Sequence, residues 1–281
     1  MKFIGVDLAW GRHNWTGLCL AQDGAVAESC LARSDQEILD WLRPRVGGPC
    51  LVGIDAPLIL RNRTGSRPCE KTLNRCFRSF EAGCYPANTT RVPRRAAQLV
   101  AQLGLDPDPV FAPRSRVRRA VEVFPHAALV ALFGLPKTLK YKAKRGRTAG
   151  SRQAEFCKLV RLLKSLARRE PRLDVTTAPR WAELERTVTT DPKGARLDRG
   201  EDELDAFVCA YITAHLWTHG SARNRIVGDT DTGYIVTPVT PELADCLDGS
   251  AWKSTLCVFP SAWLHVAGLL LADMLLAPVT G

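Results

Sequence analysis

Two short apolar runs that each end in an aspartate constrain the fold of this chain most strongly. Lys2–Leu8 and Cys50–Asp55 have the length and apolar composition of buried strands. Between them, Thr16–Ala21 and Ala25–Ala32 flank an Asp-Gly pair, which is a strong signal for a hairpin turn. A capping pattern that begins at Ser34 then predicts a short helix before the fourth strand. The predicted order is strand, strand, strand, helix, strand.

The later part of the chain adds helices and a fifth strand. Ala120–Phe124 is a short apolar run that Pro125 stops, and Glu201–Trp217 carries the apolar stripe of a packed helix. Further helices are predicted near Glu70–Phe80, Arg94–Leu103, Ala127–Phe133 and Gln153–Arg168, and further strands at Asn224–Gly228 and Gly233–Thr237. These elements predict an α/β fold, in which helices flank a mixed sheet of three antiparallel strands plus parallel strands.

By composition, the chain divides into one domain and a tail. Residues 1–248 are predicted to form a single domain, with a basic insertion rich in Arg, Pro and Gly at about 61–119. Residues 249–281 form an atypical apolar tail. Its apolar run, Trp263–Val279, contains His265 and Asp273 and is shorter than the roughly 20 residues of a spanning helix. We therefore expect no membrane span.

Charge is segregated along the sequence, a pattern that the formal net charge of +10 hides. Residues 1–60 contain 5 basic and 7 acidic residues, residues 61–172 contain 26 and 7, and residues 173–281 contain 8 and 15. A basic segment between two acidic flanks indicates a phosphate-binding surface, and coding bias towards Arg is the alternative explanation. We expect nucleic acid as the partner, either DNA or RNA.

The N-terminal residues and the cysteines bear on the compartment. Met1–Val6 lacks the charged leader of a secretory signal, and the ten cysteines are scattered, so we expect a cytoplasmic protein with reduced thiols. Cys69, Cys76 and Cys84 suggest zinc, but no Cys-x-x-Cys pair and no histidine at finger-like spacing accompanies them. The sequence also lacks a Gly-x-x-x-x-Gly-Lys-Ser/Thr run, which argues against phosphate-loop NTPase chemistry.

Aspartates follow two of the predicted strands and begin the late helix. Asp7 and Asp55 stand where a buried strand gives way to a loop, so their carboxylates converge if the strands are neighbours. Asp202 and Asp205, three residues apart, share one surface row of the helix. Such carboxylates repel each other unless hard cations neutralise them, and two Mg²⁺ or Mn²⁺ ions roughly 3.5–4 Å apart would suit phosphodiester hydrolysis. Turn formation and helix-dipole compensation are the structural alternative.

Six short motifs in one order carry a family resemblance. They are Gly5-Val6-Asp7-Leu8-Ala9-Trp10, Gly53-Ile54-Asp55-Ala56-Pro57-Leu58, Arg67-Pro68-Cys69-Glu70, Cys84-Tyr85-Pro86-Ala87-Asn88, Glu122-Val123-Phe124-Pro125 and Asp202-Glu203-Leu204-Asp205-Ala206-Phe207. Over about residues 1–248 the chain resembles the DUF429 family, described as predicted nucleases of ribonuclease H fold. The resemblance implies a RuvC-type pattern, with an acid on the first strand, one on the fourth and a pair on a late helix. Asp7, Asp55, Asp202 and Asp205 match it, although the fourth-strand acid is commonly Glu.

Two further residues are candidates for the same site. Glu122 lies between Val121 and Val123 in the fifth strand, so its side chain points to the opposite face from theirs. We assign it to the catalytic set as a fifth ligand or a supporting group, and an ion pair with a nearby arginine is the alternative. His126 could assist proton transfer, although a lone histidine more often makes a structural hydrogen bond.

A basic cluster precedes the helix predicted at Gln153–Arg168. It is predicted to bind nucleic-acid phosphates and consists of Lys140, Lys142, Lys144, Arg145, Arg147 and Arg152. Tyr141 offers a stacking face for a base. A solvated loop is the alternative interpretation of this segment.

The acidic set beside a basic segment predicts a hydrolase, namely a Mg²⁺- or Mn²⁺-dependent nuclease. One alternative is a nucleic-acid-binding module that keeps the fold and the charge without turnover. A second alternative is an actin-like ATPase or kinase, which also begins with a strand-end aspartate. That class usually has a Gly-Thr or Gly-Ser turn directly after the acid, and Asp7-Leu8-Ala9-Trp10 lacks it.

Overall fold

Five strands form one mixed sheet in the order β3-β2-β1-β4-β5. The strands are β1 (Lys2–Asp7), β2 (Thr16–Gln22), β3 (Ala25–Ala32), β4 (Cys50–Ile54) and β5 (Arg118–Glu122). The first three are antiparallel, while β4 runs parallel to both β1 and β5. A separate two-stranded sheet pairs β6 (Asn224–Asp229) with β7 (Gly233–Pro238). The computed structural model describes residues 1–11, 14–190 and 194–249.

Eight helices lie around these sheets in the described part of the chain. They are α1 (Asp35–Leu42), α2 (Pro68–Phe77), α3 (Arg95–Gln102), α4 (Pro125–Phe133), α5 (Ala149–Ser165), α6 (Trp181–Thr190), α7 (Gly194–His219) and α8 (Pro241–Leu247). The long helix α7 lies across β1, β2 and β4 and is buried along most of its length. Within the described ranges, no helix is both long enough and apolar enough to cross a membrane.

Glycines in the central strands let α7 approach the sheet closely. A Cβ atom on Gly5 of β1 would overlap the carbonyl oxygen of Ala206, and one on Gly17 of β2 would overlap that of Asp202. Because any larger residue would push the helix outward, these two positions set the depth of α7. They therefore also set how close the acids of α7 come to the strand ends.

The predicted α/β sheet is confirmed, with three antiparallel strands followed by parallel ones. Three helical features differ from the prediction. The helix α7 begins at Gly194 rather than near Glu201. Gly200 lies inside the helix, and its missing side chain leaves room for close contact with Val188 of α6. The helices α6 and α8 were not predicted. The apolar tail, including Trp263–Val279, lies outside the described residues.

The expectation of reduced thiols is wrong for one pair of cysteines. A disulfide joins Cys76 of α2 to Cys246 of α8, across 170 residues of sequence. The two helices pack together with part of the smaller sheet in a second apolar cluster, and the bond ties α8 to that cluster. No local spacing marks this pair, because its partners meet only in the tertiary structure. The remaining described cysteines are free, and Cys19, Cys50, Cys69 and Cys209 are buried.

Candidate acidic metal centre

The ends of two parallel strands bring the first two acids together. β1 and β4 are neighbours, with Val6 opposite Ile54, so Asp7 and Asp55 leave the sheet at the same edge. The backbone N–H of Asp55 continues the pairing by donating to the carbonyl of Val6 at 2.9 Å. Both carboxylates line a cleft of about 300 Å³. The convergence follows from strand adjacency, as the sequence pattern required.

The helix α7 adds acidic side chains to this cleft. Asp202 is half-buried and lines the cleft beside Asp7 and Asp55, while Asp205, one turn further on, is fully buried behind them. Glu203 faces another part of the molecule, where it accepts a 2.6 Å hydrogen bond from the Ser29 hydroxyl. Asp202 and Asp205 are three residues apart and therefore lie on the same side of α7, which is its acidic side.

Burial and mutual repulsion raise the pKa values of these acids. Burial raises the pKa of Asp7 to about 7, with the Lys142 ammonium opposing that rise and Asp205 adding to it. Burial, followed by the charges of Asp7 and Glu201, raises the pKa of Asp202 to about 9. The pKa of Asp55 is also well above its ordinary value, through burial and the Asp7 charge. A cluster of this kind gains stability from any cation that enters it.

Lys142 supplies one such cation from within the chain. Its ammonium nitrogen lies 2.6 Å from Oδ2 of Asp205, and the hydroxyl of Tyr141 donates to Oδ1 of the same carboxylate at 2.5 Å. The approach of Lys142 does not have hydrogen-bond geometry, and Oδ2 accepts no hydrogen bond from the described residues although it is fully buried. This contact is therefore an ion pair, and the Lys142 ammonium is the cation that neutralises the buried Asp205 carboxylate.

The donor atoms of this centre suit a hard divalent cation. Carboxylates are the ligands that Mg²⁺ and Mn²⁺ prefer, and those of Asp7, Asp55 and Asp202 line one cleft. In the described part of the chain, however, no three Asp, Glu, His or Cys side chains stand close enough together to hold a metal ion in this conformation. Asp205 instead pairs with the Lys142 ammonium. Carboxylate oxygens suit a divalent ion, but their spacing among the described residues does not form a metal site.

Glu122 lines the same cleft, but its carboxylate is already engaged. Two nitrogens of the buried Arg67 donate to its two oxygens at 2.5 and 2.9 Å, and the backbone N–H of Leu58 adds a bond of 3.0 Å. Glu70 accepts from the remaining side of the same guanidinium. This geometry favours the arginine ion pair over the metal ligand among the roles considered for Glu122.

The predicted nucleic-acid-binding cluster is divided by the fold. Lys140 pairs with Glu81 at 2.5 Å, and the buried Arg152 pairs with Asp198 and Glu201. With Lys142 turned into the acidic cleft, these three cations are paired with acids of the chain itself. Among the described residues, Lys144, Arg145 and Arg147 make no ion pair with an acid, and Lys144 and Arg147 line the cleft.

The prediction that Tyr141 offers a stacking face is wrong. Its ring is fully buried between His126 and Phe156, because its hydroxyl is drawn inward to the Asp205 carboxylate. Tyr85 and Trp10 line the cleft with accessible rings, at 63% and 40% exposure. Trp10 lies in the loop directly after β1 and Tyr85 in the run Cys84-Tyr85-Pro86, and these positions are the sequence signals for both.

Two further titratable residues lie at this centre, and the first of them was not predicted from the sequence. Glu201, four residues before Asp205, belongs to the acidic set, and burial raises its pKa to about 7, with Lys142 lowering it and Asp205 adding to the rise. The i, i+4 spacing from Asp205 could have identified it. His126 lines the cleft, and burial followed by the charge of Lys142 holds its pKa well below the ordinary value. Its Nδ1 lies 2.9 Å from the Thr138 hydroxyl.

The sheet order, the packing of α7 and the acidic edge define an α/β protein whose architecture is consistent with a ribonuclease H-like fold. Residues 5–232 match the family model described as "Protein of unknown function (DUF429)". The chain therefore belongs to the DUF429 family. No curated protein and no solved structure matches it.

Proposed function

We propose that this protein is a nuclease that hydrolyses phosphodiester bonds of DNA or RNA with Mg²⁺ or Mn²⁺. The observation that carries the proposal is the cleft itself, which Asp7, Asp55 and Asp202 line from two strands and one helix. Lys144 and Arg147 line the same cleft. A site with carboxylates at its floor and cations on its wall suits a substrate that is itself a phosphate diester.

The side chains of the cleft would have different roles according to their positions. Asp7, Asp55 and Asp202 would hold the cation after moving closer together than they stand in this structure. The cation would supply Lewis-acid activation and charge neutralisation at the phosphate. Lys144 and Arg147 would bind and orient phosphate oxygens along the wall. His126, neutral at physiological pH because its pKa is lowered, could accept a hydrogen bond from a substrate hydroxyl or a water molecule. Arg67 would fix the Glu122 carboxylate in place at the wall of the cleft.

The decisive experiment is a cleavage assay with single- and double-stranded DNA and RNA, each with Mg²⁺, with Mn²⁺ and with EDTA. We expect metal-dependent cleavage by the wild-type protein and its loss in Asp7→Asn, which removes one charge from the acidic floor. Asp40→Asn is the matched control, because Asp40 is an exposed aspartate on α1. Cleavage by Asp7→Asn at the wild-type rate would contradict the catalytic assignment.

A second candidate is a nucleic-acid-binding module without turnover. The ion pair of Lys142 with Asp205 favours it, because an internal ammonium already occupies part of the acidic centre. Binding of the same nucleic acids without cleavage in either metal would support this alternative. In both cases Lys144, Arg145 and Arg147 would displace about three counterions from the nucleic acid. The logarithm of the binding constant should therefore fall with the logarithm of the salt concentration at a slope of roughly −2 to −3. A flat dependence would contradict phosphate binding by these residues.

A further inference from the structure

Exposed aromatic side chains are concentrated at the cleft. Among the described residues, the large apolar side chains that stand exposed are Trp10, Tyr85 and Val110, and the first two line the cleft. A single exposed apolar residue is ordinary on a protein surface, whereas two aromatic rings in one concave site indicate a binding surface for a planar, apolar group. Lysine and arginine side chains line the same cleft, so this group is expected to carry negative charge as well.

The backbone on both sides of Tyr85 is fixed by hydrogen bonds. The N–H of Cys84 donates to the side-chain oxygen of Asn74 at 2.7 Å, and the amide nitrogen of Asn74 donates back to the Cys84 carbonyl at 3.0 Å. After Tyr85, the N–H of Ala87 lies 3.1 Å from both oxygens of the buried Glu70 carboxylate. The exposed ring of Tyr85 is therefore presented by an ordered segment rather than by a free loop.

The backbone before Trp10 is fixed in a similar way. The N–H of Ala9 donates to the Thr16 hydroxyl at 3.2 Å, and the carbonyl of Ala9 accepts a 2.7 Å hydrogen bond from the buried Arg95. Because these segments are already ordered in the free protein, a planar group that stacks on either ring would cost little conformational entropy. An aromatic side chain itself has only two side-chain torsions to fix.

A cation accompanies one of these rings. The Lys144 ammonium lies 5.1 Å from the centroid of the Tyr85 ring, and Arg147 lines the same cleft. A nucleotide combines an aromatic base with a phosphate, so an aromatic ring beside a cation matches both parts of it. A base inside a duplex is covered by its neighbours on both faces. Only an unpaired, unstacked base can offer a face to a protein ring.

We infer that the cleft binds single-stranded nucleic acid, with unpaired bases stacked on Tyr85 and Trp10 and the adjoining phosphates bound by Lys144 and Arg147. This inference rests on the proposed function and names the substrate class of the same site. The two rings determine the preference for an unpaired strand, whereas the cations attract the phosphates of a strand or a duplex alike. Because every base has an aromatic face, this mode of binding selects single strands without selecting a sequence.

The test is the affinity for fluorescently labelled oligonucleotides, measured by anisotropy in EDTA so that metal-dependent cleavage does not interfere. The probes are a DNA strand of mixed sequence, the same strand annealed to its complement, the same strand with abasic sites, and an RNA strand of the same sequence. We expect the base-bearing single strands of DNA and RNA to bind more tightly than the duplex and the abasic strand. Because the abasic strand keeps its phosphates, its weaker binding measures the contribution of stacking.

Variants of the two rings locate that contribution. Tyr85→Ala should weaken binding of the base-bearing single strands about 5- to 150-fold, the range for one lost base stack, and change binding of the duplex and the abasic strand little. Trp10→Ala should act in the same direction. Tyr85→Phe keeps the ring and should bind as the wild type does. Val110→Ala is the matched control, because Val110 is an exposed apolar residue that does not line the cleft.

The outcomes separate this inference from the proposed function. Equal affinity of the wild type for base-bearing and abasic strands, tighter binding of the duplex, or no binding of any probe would overturn the inference, while metal-dependent cleavage would leave the nuclease standing. A folded Tyr85→Ala variant that binds like the wild type, or loses affinity for all probes alike, would also overturn it. If circular dichroism shows that this variant is unfolded, the wild-type comparison of base-bearing and abasic strands decides. Stacking-dependent binding without cleavage in any metal would support the inference and refute the nuclease.

Discussion

Without metal, the acidic centre should make the protein less stable as pH rises, and Asp202→Asn should remove part of that effect. Burial and the charges of Asp7 and Glu201 raise the pKa of Asp202 from an ordinary 3.8 to about 9. Between these two values the folded protein holds a proton that the unfolded chain has released. The stability contributed by the protonated carboxyl is therefore complete below about pH 4 and is lost as pH rises towards 9.

The magnitude follows from proton linkage. A difference of one bound proton changes the free energy of unfolding by about 1.4 kcal/mol per pH unit. From pH 5 to pH 7 Asp202 alone would therefore cost about 3 kcal/mol, and screening by water at the open side of the cleft reduces this to about 2 kcal/mol. In Asp202→Asn the amide does not titrate, so the loss of stability over this interval should be smaller by that amount.

The assay is urea unfolding at pH 5, 6 and 7 in EDTA, with the disulfide intact and the wild type measured in parallel. Asp40→Asn, on the exposed face of α1, is the matched control and should keep the wild-type dependence on pH. Groups common to all three proteins cancel in the comparison. An Asp202→Asn variant that loses as much stability as the wild type between pH 5 and pH 7 would refute the assigned environment of this carboxyl.

Three further predictions concern the framework of the site. Gly5→Ala should destabilise the fold by about 1–3 kcal/mol, because its Cβ would overlap α7, while Gly47→Ala meets open space and should change the free energy of unfolding by less than about 0.5 kcal/mol. Arg67→Met should lower the free energy of unfolding in urea by about 3–5 kcal/mol, because it leaves two buried glutamates without their cation. A loss near zero would contradict the ion-pair geometry. Tyr141→Phe should cost about 1.5–3 kcal/mol through its lost bond to a charged acceptor, and an unchanged unfolding midpoint would contradict that bond.

The central sheet could be predicted because its signals are local. Apolar runs of strand length, the Asp-Gly turn at residues 23–24 and the cap at Ser34 each act within a few residues of sequence. The meeting of Asp7 and Asp55 followed from one additional rule, that neighbouring parallel strands end at the same edge. The phase of Asp202 and Asp205 followed from the helical period.

Other features depended on contacts between distant segments and left no local pattern. The apolar stripe predicts α7 from Glu201, seven residues after its start in the structure, because the preceding turns contact α6 through Gly200 and carry no such stripe. The bond of Cys76 to Cys246 and the partnership of Arg67 with Glu122 join segments far apart in the chain. The residue type at one position does not show which distant residue it will contact in the folded chain.

The basic cluster around Lys142 shows most clearly that the sequence alone does not reveal contacts between distant residues. Counting charges treats every lysine and arginine of the segment as free to meet a phosphate, but folding pairs Lys140, Lys142 and Arg152 with acids of the chain. Among the described residues, three of the six cations of the cluster therefore make no ion pair with an acid. The sequence pattern therefore identifies the region, while the tertiary pairing determines how strongly it can bind an anion. The measurable consequence is that the binding constant for nucleic acid should depend on salt concentration as expected for about three cations rather than six.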